Sequence, residues 1–211
     1  MRLAVTVGFD ADLVIRALAS IKADELYFLR GVTGGEGDSK SETTVKKIIA
    51  ALKRGSDYPV ELKDLAKGLR QISQLDFDAV ALAGGPRLLV VLAFVAATAK
   101  GAWVYIVPEY SPDPVDATAL THIAALGRQS DARLRVLAAL TREMEADEVA
   151  HAVGLDASTA YRHLSGLEEA GLVEAKGSRR KKYRADPLTV ELASILLARR
   201  AQGRGAAQNG Q

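Results

Sequence analysis

The chain has 211 residues with a net charge of +2, and 48% of its side chains are hydrophobic and 26% charged. This composition is typical of a soluble globular protein, and the length allows one large domain or two small ones. Cysteine is absent and only three histidines (His122, His151, His163) occur, far apart, which excludes disulfides and thiolate metal sites and argues against structural zinc. The apolar run from Leu88 to Ala99 is too short to span a bilayer, and the N-terminus has no leader pattern, so we expect a cytoplasmic protein without membrane contact.

The first half of the chain alternates strand and helix patterns. Such repeated β-α units indicate a mainly parallel sheet covered on both faces, with right-handed crossovers, as in Rossmann-like folds. We predict strands over residues 3–9, 25–31, 60–62, 79–84 and 103–108, and helices over residues 13–21, 44–53, about 65–72 and 87–100.

Three loops that follow predicted strands are rich in glycine: Gly8–Asp10, Gly31–Ser39 and Gly84–Arg87. The carboxyl ends of parallel strands share one edge of a sheet, and ligands bind there. Glycines allow backbone N–H groups to approach a ligand, a helix N-terminus favours anions, and Arg87 adds a positive charge. These loops therefore predict a ligand site rather than three unrelated turns.

Sequence signatures of enzymes are absent from this half. The first loop lacks G-x-G-x-x-G, the second predicted strand ends in Arg30-Gly31 without the ribose-binding acid, and no Walker A motif occurs. No Ser/His/Asp set and no cysteine nucleophile is present, so we assign no catalytic residues and no cofactor. The sheet is interpreted as a sensor.

The C-terminal part has the pattern of a winged helix-turn-helix, an α+β module. Asp131 is expected to cap a helix bearing Leu134 and Leu137, and a second helix is predicted over 145–153. Gly154 supplies a sharp turn, and Asp156 is expected to cap a third helix over 157–170. The strands on either side of Gly177-Ser178 then form a basic hairpin.

The third helix and the hairpin carry the residues expected to bind double-stranded DNA. In a helix-turn-helix the second of the two helices enters the major groove, and cations beside it neutralise phosphates. The expected contacts from the helix are Ser158, Thr159, Tyr161, Arg162 and His163, of which His163 is equally well explained by packing. Those from the hairpin are Lys176, Arg179, Arg180, Lys181, Lys182 and Arg184.

Three further segments complete the predicted organisation. Residues 109–129 are predicted to be a linker, helical over about 116–126, between the sensing domain (1–108) and the DNA-binding domain (130–200). A last helix over 188–200 carries an apolar stripe that suits either a partner chain or its own domain. Residues 201–211 lack apolar content and are predicted to be a disordered tail.

The string TAYRHLSGLEEAGLVEAKGSRRKKYR resembles the winged helix-turn-helix of MarR- and ArsR-type regulators. VTVGFD, followed by a strand ending in GGPR and an apolar helix, resembles the CARF domain, the Rossmann-like sensor of CRISPR-associated proteins. The two domains in this order resemble the archaeal CRISPR-associated transcriptional regulators of the Csa type.

This resemblance implies a homodimer whose paired CARF domains bind a cyclic oligoadenylate, cyclic tetraadenylate in particular, in a pocket on the two-fold axis. The positions that match the family are Gly8, Phe9, Asp10, Gly84, Gly85, Pro86 and Arg87. The residues of the second loop add Thr33, Gly34 and Gly35.

The expected function is therefore a ligand-responsive transcription regulator of CRISPR loci. The Arg–His pair that marks the ribonuclease domain of many relatives is absent, which argues against an effector ribonuclease. Two alternatives stay open: a ring nuclease that cleaves cyclic tetraadenylate, and a regulator that senses another nucleotide or anion.

Overall fold

The computed structural model describes residues 1–178 and 180–208, without the side chains of 204–208. The chain forms two compact units, residues 1–121 and the residues from His122 onward. Arg179, one of the predicted DNA contacts, and residues 209–211 of the predicted tail lie outside the described residues.

The first unit is a six-stranded sheet with helices on both faces. Its strand order is β3-β2-β1-β4-β5-β6, and all neighbours are parallel except β5 and β6. The predicted Rossmann-like fold is thus confirmed. The strands are β1 Arg2–Val7, β2 Glu25–Val32, β3 Ser56–Glu61, β4 Ala79–Leu82, β5 Trp103–Ile106 and β6 Val115–Asp116, and the helices are α1 Ala11–Ser20, α2 Gly37–Leu52, α3 Leu65–Gln74 and α4 Arg87–Lys100.

Alternating side chains of β1 divide the core of this unit between the two faces of the sheet. Leu3 and Val5 lie in a cluster with residues of α1 and α2, such as Val14 and Val45. Ala4 lies in the opposite cluster, which is built on α3 and α4. Both sheet faces are therefore buried, and this explains why the strands are nearly continuously apolar.

The strand order reverses between β1 and β4. From β1 the chain builds outward to β2 and β3, and it then returns to β4 and β5 on the other side of β1. The carboxyl ends of β1 and β4 consequently lie side by side at the topological switch point, where ligands of open α/β sheets bind. The loops that begin with Gly8 and Ala83 are thereby brought together.

Helix α2 begins at Gly37, seven residues before the predicted start at Thr44. Its first two turns are polar, and an apolar periodicity cannot indicate helix where no apolar side chain is buried. Hydroxyl groups bond to backbone carbonyls there: Ser39 donates to Glu36 and Thr43 donates to Ser39. The predicted ligand loop 31–39 is therefore shorter, because residues 31–32 belong to β2 and residues 37–39 to the first turn of α2.

The predicted linker 109–129 is largely ordered structure and is divided between the two units. The predicted helix over 116–126 is replaced by three elements: β6, a short 3₁₀ helix Thr118–His122, and α5 Ile123–Gly127. β6 pairs with β5 in the register Tyr105↔Asp116. The Thr118 hydroxyl accepts a hydrogen bond from the Val104 N–H at 3.0 Å, which fixes this segment to the sheet edge.

The second unit packs five helices around a small antiparallel sheet of order β7-β9-β8. Its core contains Leu134, Leu164, Leu167 and Tyr183. This unit confirms the predicted α+β architecture. In addition to α5, its elements are α6 Asp131–Ala139, β7 Met144–Glu145, α7 Ala146–Val153, α8 Ala157–Glu169, β8 Glu174–Lys176, β9 Lys182–Arg184 and α9 Pro187–Gln208.

Two helix ends in this unit differ from prediction. Ser130, and not Asp131, caps α6, because the Ser130 hydroxyl accepts the Arg133 N–H. Helix α9 extends to Gln208, eight residues beyond its predicted end and into the predicted tail. Arg200 of α9 donates to the carbonyl of Gln129 and to Asp131, each at 2.8 Å, so α9 is held against the start of α6.

The predicted apolar stripe of α9 is divided between two environments. Leu192 and Leu196 pack on the core of their own unit, whereas Leu188 and Ile195 are exposed. Among the residues that the structure describes, none of the helices has the length and hydropathy needed to cross a membrane.

Candidate nucleic-acid interface and ligand cavity

A helix-turn-helix is formed by α7 and α8. Gly154 ends α7 in the left-handed region (φ 68°), and only residues 154–156 separate the two helices. Asp156 caps α8 as predicted, since its carboxylate accepts the Thr159 N–H at 2.9 Å. Hydrogen bonds from Ser158 and Thr159 lower the pKa of Asp156 well below its usual range, so this cap is charged at neutral pH.

The predicted contact residues of α8 differ in how free they are. Tyr161 and Arg162 are exposed. The Ser158 hydroxyl donates to Asp156 at 2.6 Å, and the Thr159 hydroxyl accepts from Arg162 at 2.9 Å. Two of the hydroxyls expected at base edges are therefore engaged within the helix, and Thr159 instead orients the Arg162 guanidinium.

His163 is partly buried on the same helix. Burial, together with the nearby charges of Arg133 and Arg162, lowers its pKa. The imidazole is therefore neutral at neutral pH and does not add a charge to the basic surface.

The wing follows α8 as an antiparallel hairpin with the register Ala175↔Tyr183 and Lys176↔Lys182. Tyr183 points into the core, so its neighbours Lys182 and Arg184 lie on the exposed face of β9. Gly177 has a φ of 90°, and a Cβ there would approach the Arg180 carbonyl oxygen to 2.9 Å. The turn predicted at Gly177-Ser178 is present.

The cations of the wing fall into two groups. Lys181 lies 3.3 Å from Glu168 of α8, and Lys182 lies 3.9 Å from Glu143. Among the described residues, Lys176, Arg180 and Arg184 make no ion pair or side-chain hydrogen bond. These three side chains and Arg162 supply the positive charge that is free to meet phosphates.

A groove of about 320 Å³ lies between the start of α7, α8 and the wing. Tyr161, Arg180 and Lys181 line it, but so do Glu145 and Asp147. These two acids were not predicted at the interface, because their positions in the sequence indicate only the start of a helix. They make this part of the surface mixed in charge.

The first unit has a cavity of about 300 Å³ at the carboxyl edge of its sheet. This volume is at the lower end of the range for small-molecule sites. The lining residues come from the ends of β1, β2 and β4 and from the start of α2; they are Gly8, Phe9, Gly31, Thr33, Gly37, Asp38, Ser41, Gly85 and Pro86.

The cavity brings together five of the ten predicted ligand residues: Gly8, Phe9, Thr33, Gly85 and Pro86. The others do not line it. Asp10 caps α1 by accepting the Asp12 N–H, and the Gly84 N–H donates to the buried Thr6 hydroxyl. Gly34, Gly35 and Arg87 lie on the neighbouring loop and helix positions, with Arg87 exposed at the start of α4.

The glycines of the cavity allow the loops to pack on one another. A Cβ on Gly8 would lie 2.6 Å from the Gly85 nitrogen, and one on Gly31 would lie 2.5 Å from Leu62. The expectation that these glycines leave room for a ligand is thus only part of the explanation, because protein atoms fill the space of the missing side chains.

Two features of the cavity escaped sequence analysis. The Asp38 carboxylate accepts the N–H groups of Thr33 and Gly34 and the Thr33 hydroxyl, at 2.7–3.0 Å. The Lys63 ammonium lies against Gly34, 2.6 Å from the position that a Cβ would take. Asp38 lies in the first turn of α2 and Lys63 in the loop between β3 and α3, and neither position is marked by a sequence motif.

Comparison with known proteins agrees with this architecture. Residues 1–116 match the family described as Csa3 CRISPR-associated Rossmann-like domain, and residues 130–189 match that of the sugar-specific transcriptional regulator TrmB. A protein of Thermoproteus tenax, "CRISPR locus-related putative DNA-binding protein Csa3", is 44% identical over 93% of this chain and 97% of its own length. The chain belongs to the Csa3 family.

Two solved structures of transcriptional regulators are similar to part of this Csa3-family chain. The homodimeric winged helix-turn-helix DNA-binding domain of a Mycobacterium bovis regulator covers 40% of the chain and 81% of its own, with 24% identity and a TM-score of 0.32. A MarR-family regulator from Silicibacter pomeroyi covers 41% of the chain and 62% of its own, with 25% identity and a TM-score of 0.32. At these TM-scores neither structure bears on function.

Proposed function

We propose that this Csa3-family protein is a transcription regulator of CRISPR loci that binds double-stranded DNA through α8 and the wing. The observation that carries the proposal is Arg162 on the exposed helix of a helix-turn-helix, together with the wing residues Arg180 and Arg184, which form no ion pair within the described part of the chain. Phosphate neutralisation by such cations supplies affinity, while α8 reads base edges. The name of the Thermoproteus tenax relative, which describes DNA binding, supports the same function.

The regulator acts as a homodimer in this proposal. Helix α4 exposes an apolar stripe of Leu88, Val91 and Val95, with 37%, 56% and 42% of their surfaces accessible. Contiguous exposed apolar surface of this kind is characteristic of protein interfaces. A dimer presents two copies of α8, which suits successive major grooves about 34 Å apart.

The regulatory ligand in this proposal is a cyclic oligoadenylate, specifically cyclic tetraadenylate. The cavity lies at the topological switch point, and α4 begins beside it without a side-chain cap, so the first N–H groups of that helix face an anion favourably. Arg87 adds a charge at the same helix end. Paired cavities in a dimer suit a ring of four nucleotides better than a single mononucleotide.

Ligand control requires that cyclic tetraadenylate change the affinity for DNA, and this defines the experiment. Promoter fragments from the CRISPR locus of the source genome are titrated by fluorescence anisotropy, with and without cyclic tetraadenylate, against a random duplex of equal length. We expect specific binding that the ligand shifts by at least about fivefold. Identical affinities with and without ligand would reject ligand control, and a lack of preference for promoter DNA would reject the regulator itself.

Two variants distinguish the loss of a DNA contact from the loss of one positive charge anywhere on the protein. Arg162→Ala is expected to weaken promoter binding by about 1–3 kcal/mol and to relax sequence preference. Arg199→Ala is the control, because Arg199 is also exposed but lies on α9.

The same samples, incubated with cyclic tetraadenylate and examined for linear products, test the ring-nuclease alternative.

A further inference from the structure

The Thr33–Gly34 turn, one wall of the cavity, is already occupied by a carboxylate of the protein. Asp38 accepts the Thr33 N–H with both oxygens at 3.0 Å and the Gly34 N–H at 2.7 Å. The Thr33 hydroxyl donates to the same carboxylate at 2.9 Å. Gly34 has a φ of 73°, so the two consecutive N–H groups converge on one point. Such a concave arrangement of N–H groups is a binding site for anions.

Asp38 fills this anion site permanently at neutral pH. The backbone hydrogen bond from Thr33 is the main cause that lowers the pKa of the Asp38 carboxyl, so the group is ionised. A ligand phosphate at this wall would meet a negative charge and donors that are already engaged. The N–H groups of the Thr33–Gly34 turn are therefore closed to a phosphate while Asp38 holds them.

The remaining walls are uncharged. Of the nine lining residues Asp38 alone carries a charge, and the others are glycines, Pro86, Phe9 and two hydroxyl residues. The Phe9 ring is 66% exposed, and its Cζ atom lies 3.1 Å from the position of a Cβ on Gly37. An accessible aromatic ring beside apolar walls suits a flat, uncharged ring system.

Two cations lie near the cavity without lining it: Arg87 is exposed at the first position of α4, and the Lys63 ammonium lies against Gly34 of the turn. The charges that attract an anion and the cavity that encloses a group are thus separate parts of this face. A ligand that uses both must place an uncharged portion inside and its phosphates outside.

We propose that Asp38 determines which part of a nucleotide this cavity accepts: it keeps phosphate out of the Thr33–Gly34 turn, so that a nucleobase enters and lies on Phe9. The phosphates remain at Arg87 and the start of α4. Asp38 is a positioning residue, since it acts through the turn. This inference rests on the proposed function in so far as the ligand is a nucleotide.

The test is calorimetric titration of the full-length protein with cyclic tetraadenylate, in potassium phosphate and in potassium chloride of equal ionic strength. In the wild-type protein inorganic phosphate is expected to compete with the ring only at Arg87 and the start of α4, so the affinities in the two salts should differ little. In Asp38→Asn the turn is freed, so we expect inorganic phosphate to bind there and the affinity for the ring to fall by about tenfold or more. Asp64→Asn is the control, because the Asp64 carboxylate also accepts a backbone N–H, that of Lys67 at the start of α3, but lies outside the cavity.

A second variant does not depend on the folding of the first. Arg87→Gln, at an exposed position, is expected to weaken the binding of cyclic tetraadenylate and to make its affinity less dependent on salt concentration. If the turn held a phosphate of the ligand instead, the salt dependence of Arg87→Gln would equal that of the wild type. Tighter binding of the ring by Asp38→Asn, or a full salt dependence in Arg87→Gln, overturns the inference while the proposed ligand stands. Absence of any binding by the wild-type protein overturns the ligand of the proposed function and this inference with it.

Discussion

The ammonium of Lys181 at the wing lies 3.3 Å from the carboxylate of Glu168 on α8. This contact joins the two elements that are proposed to bind DNA, and it raises the pKa of Lys181. Both side chains are partly exposed, so the pair contributes little to overall stability. The pair matters for DNA binding, because a lysine whose charge is already compensated by a carboxylate attracts a DNA phosphate less strongly than Arg180, which forms no ion pair within the described residues.

Replacement of Arg180 and of Lys181 should therefore affect DNA binding differently. Arg180→Ala removes a free cation, so the slope of log K against log salt should fall by about one. Lys181→Ala should change that slope by clearly less. Anisotropy titrations at several salt concentrations measure both, with Arg199→Ala as the variant that leaves the slope unaltered. Equal slopes for Arg180→Ala and Lys181→Ala would show that DNA breaks the pair with Glu168.

The DNA-binding unit was predictable because its signals are local. Gly154 and Asp156 mark the turn and the cap of α8 within three residues, and Gly177 marks the wing turn. The pairing of Lys181 with Glu168 was not predictable, because it joins residues 13 positions apart whose distance depends on how the wing lies on α8. Local sequence patterns thus identified the residues of the predicted interface, but not which of their cations are paired with acids.

Phe9 offers a direct test of base stacking in the cavity. Phe9→Leu keeps an apolar side chain but removes the aromatic face, so binding of cyclic tetraadenylate should weaken by about 1–3 kcal/mol. Phe9→Tyr should restore most of the affinity. Calorimetry measures each variant, and Tyr110→Leu, which removes an exposed aromatic ring outside the cavity, is the control. Sedimentation of the same samples shows whether Phe9 instead supports the dimer. In that case loss of the phenyl ring would change the oligomeric state.

The ligand face was only partly predictable, for a reason visible at Asp38 and Asp10. The order of β-α units placed three glycine loops at one sheet edge, and that edge does hold the cavity. Which side chains turn inward depends on where α1 and α2 begin. Asp10 is taken up by the cap of α1, whereas Asp38 enters the wall because α2 starts at Gly37 within a polar stretch.

The contact between Gly8 and Gly85 should be sensitive to a single methyl group. In Gly8→Ala the new Cβ meets backbone atoms of Gly85 that cannot move independently, so we expect a loss of about 1–3 kcal/mol in the free energy of unfolding. Gly127→Ala is the matched control, because open space surrounds Gly127 and its φ is not positive. Thermal unfolding compares the two, and an unchanged midpoint in Gly8→Ala would mean that the loops separate without cost. Such a separation would also enlarge the cavity, which calorimetry of ligand binding would detect.

Stability in acid should depend on the ion pair between Asp78 and Arg2, which lies at the amino-terminal ends of β1 and β4. Two groups of Arg2 donate to Asp78 at 2.8 Å, the guanidinium and the backbone N–H, and they lower the pKa of Asp78 to about 2. An unfolded aspartate has a pKa of about 3.9, so the pair stabilises the folded state fully above that pH, and the contribution is lost as the pH falls toward 2. Asp78→Asn should therefore be less stable than wild type at neutral pH, and the difference should disappear in acid.

Trp103, the one tryptophan of the chain, reports on this unit, since its backbone N–H donates to the Asp78 carbonyl at 3.0 Å. Urea unfolding followed by its fluorescence at neutral pH and at about pH 2.5 measures the effect. Asp113→Asn is the control, because the Asp113 side chain makes no hydrogen bond or ion pair within the described part of the chain. A stability difference between Asp78→Asn and wild type that persists unchanged in acid would mean that the amide disturbs packing, rather than that the charge pair stabilises the sheet edge.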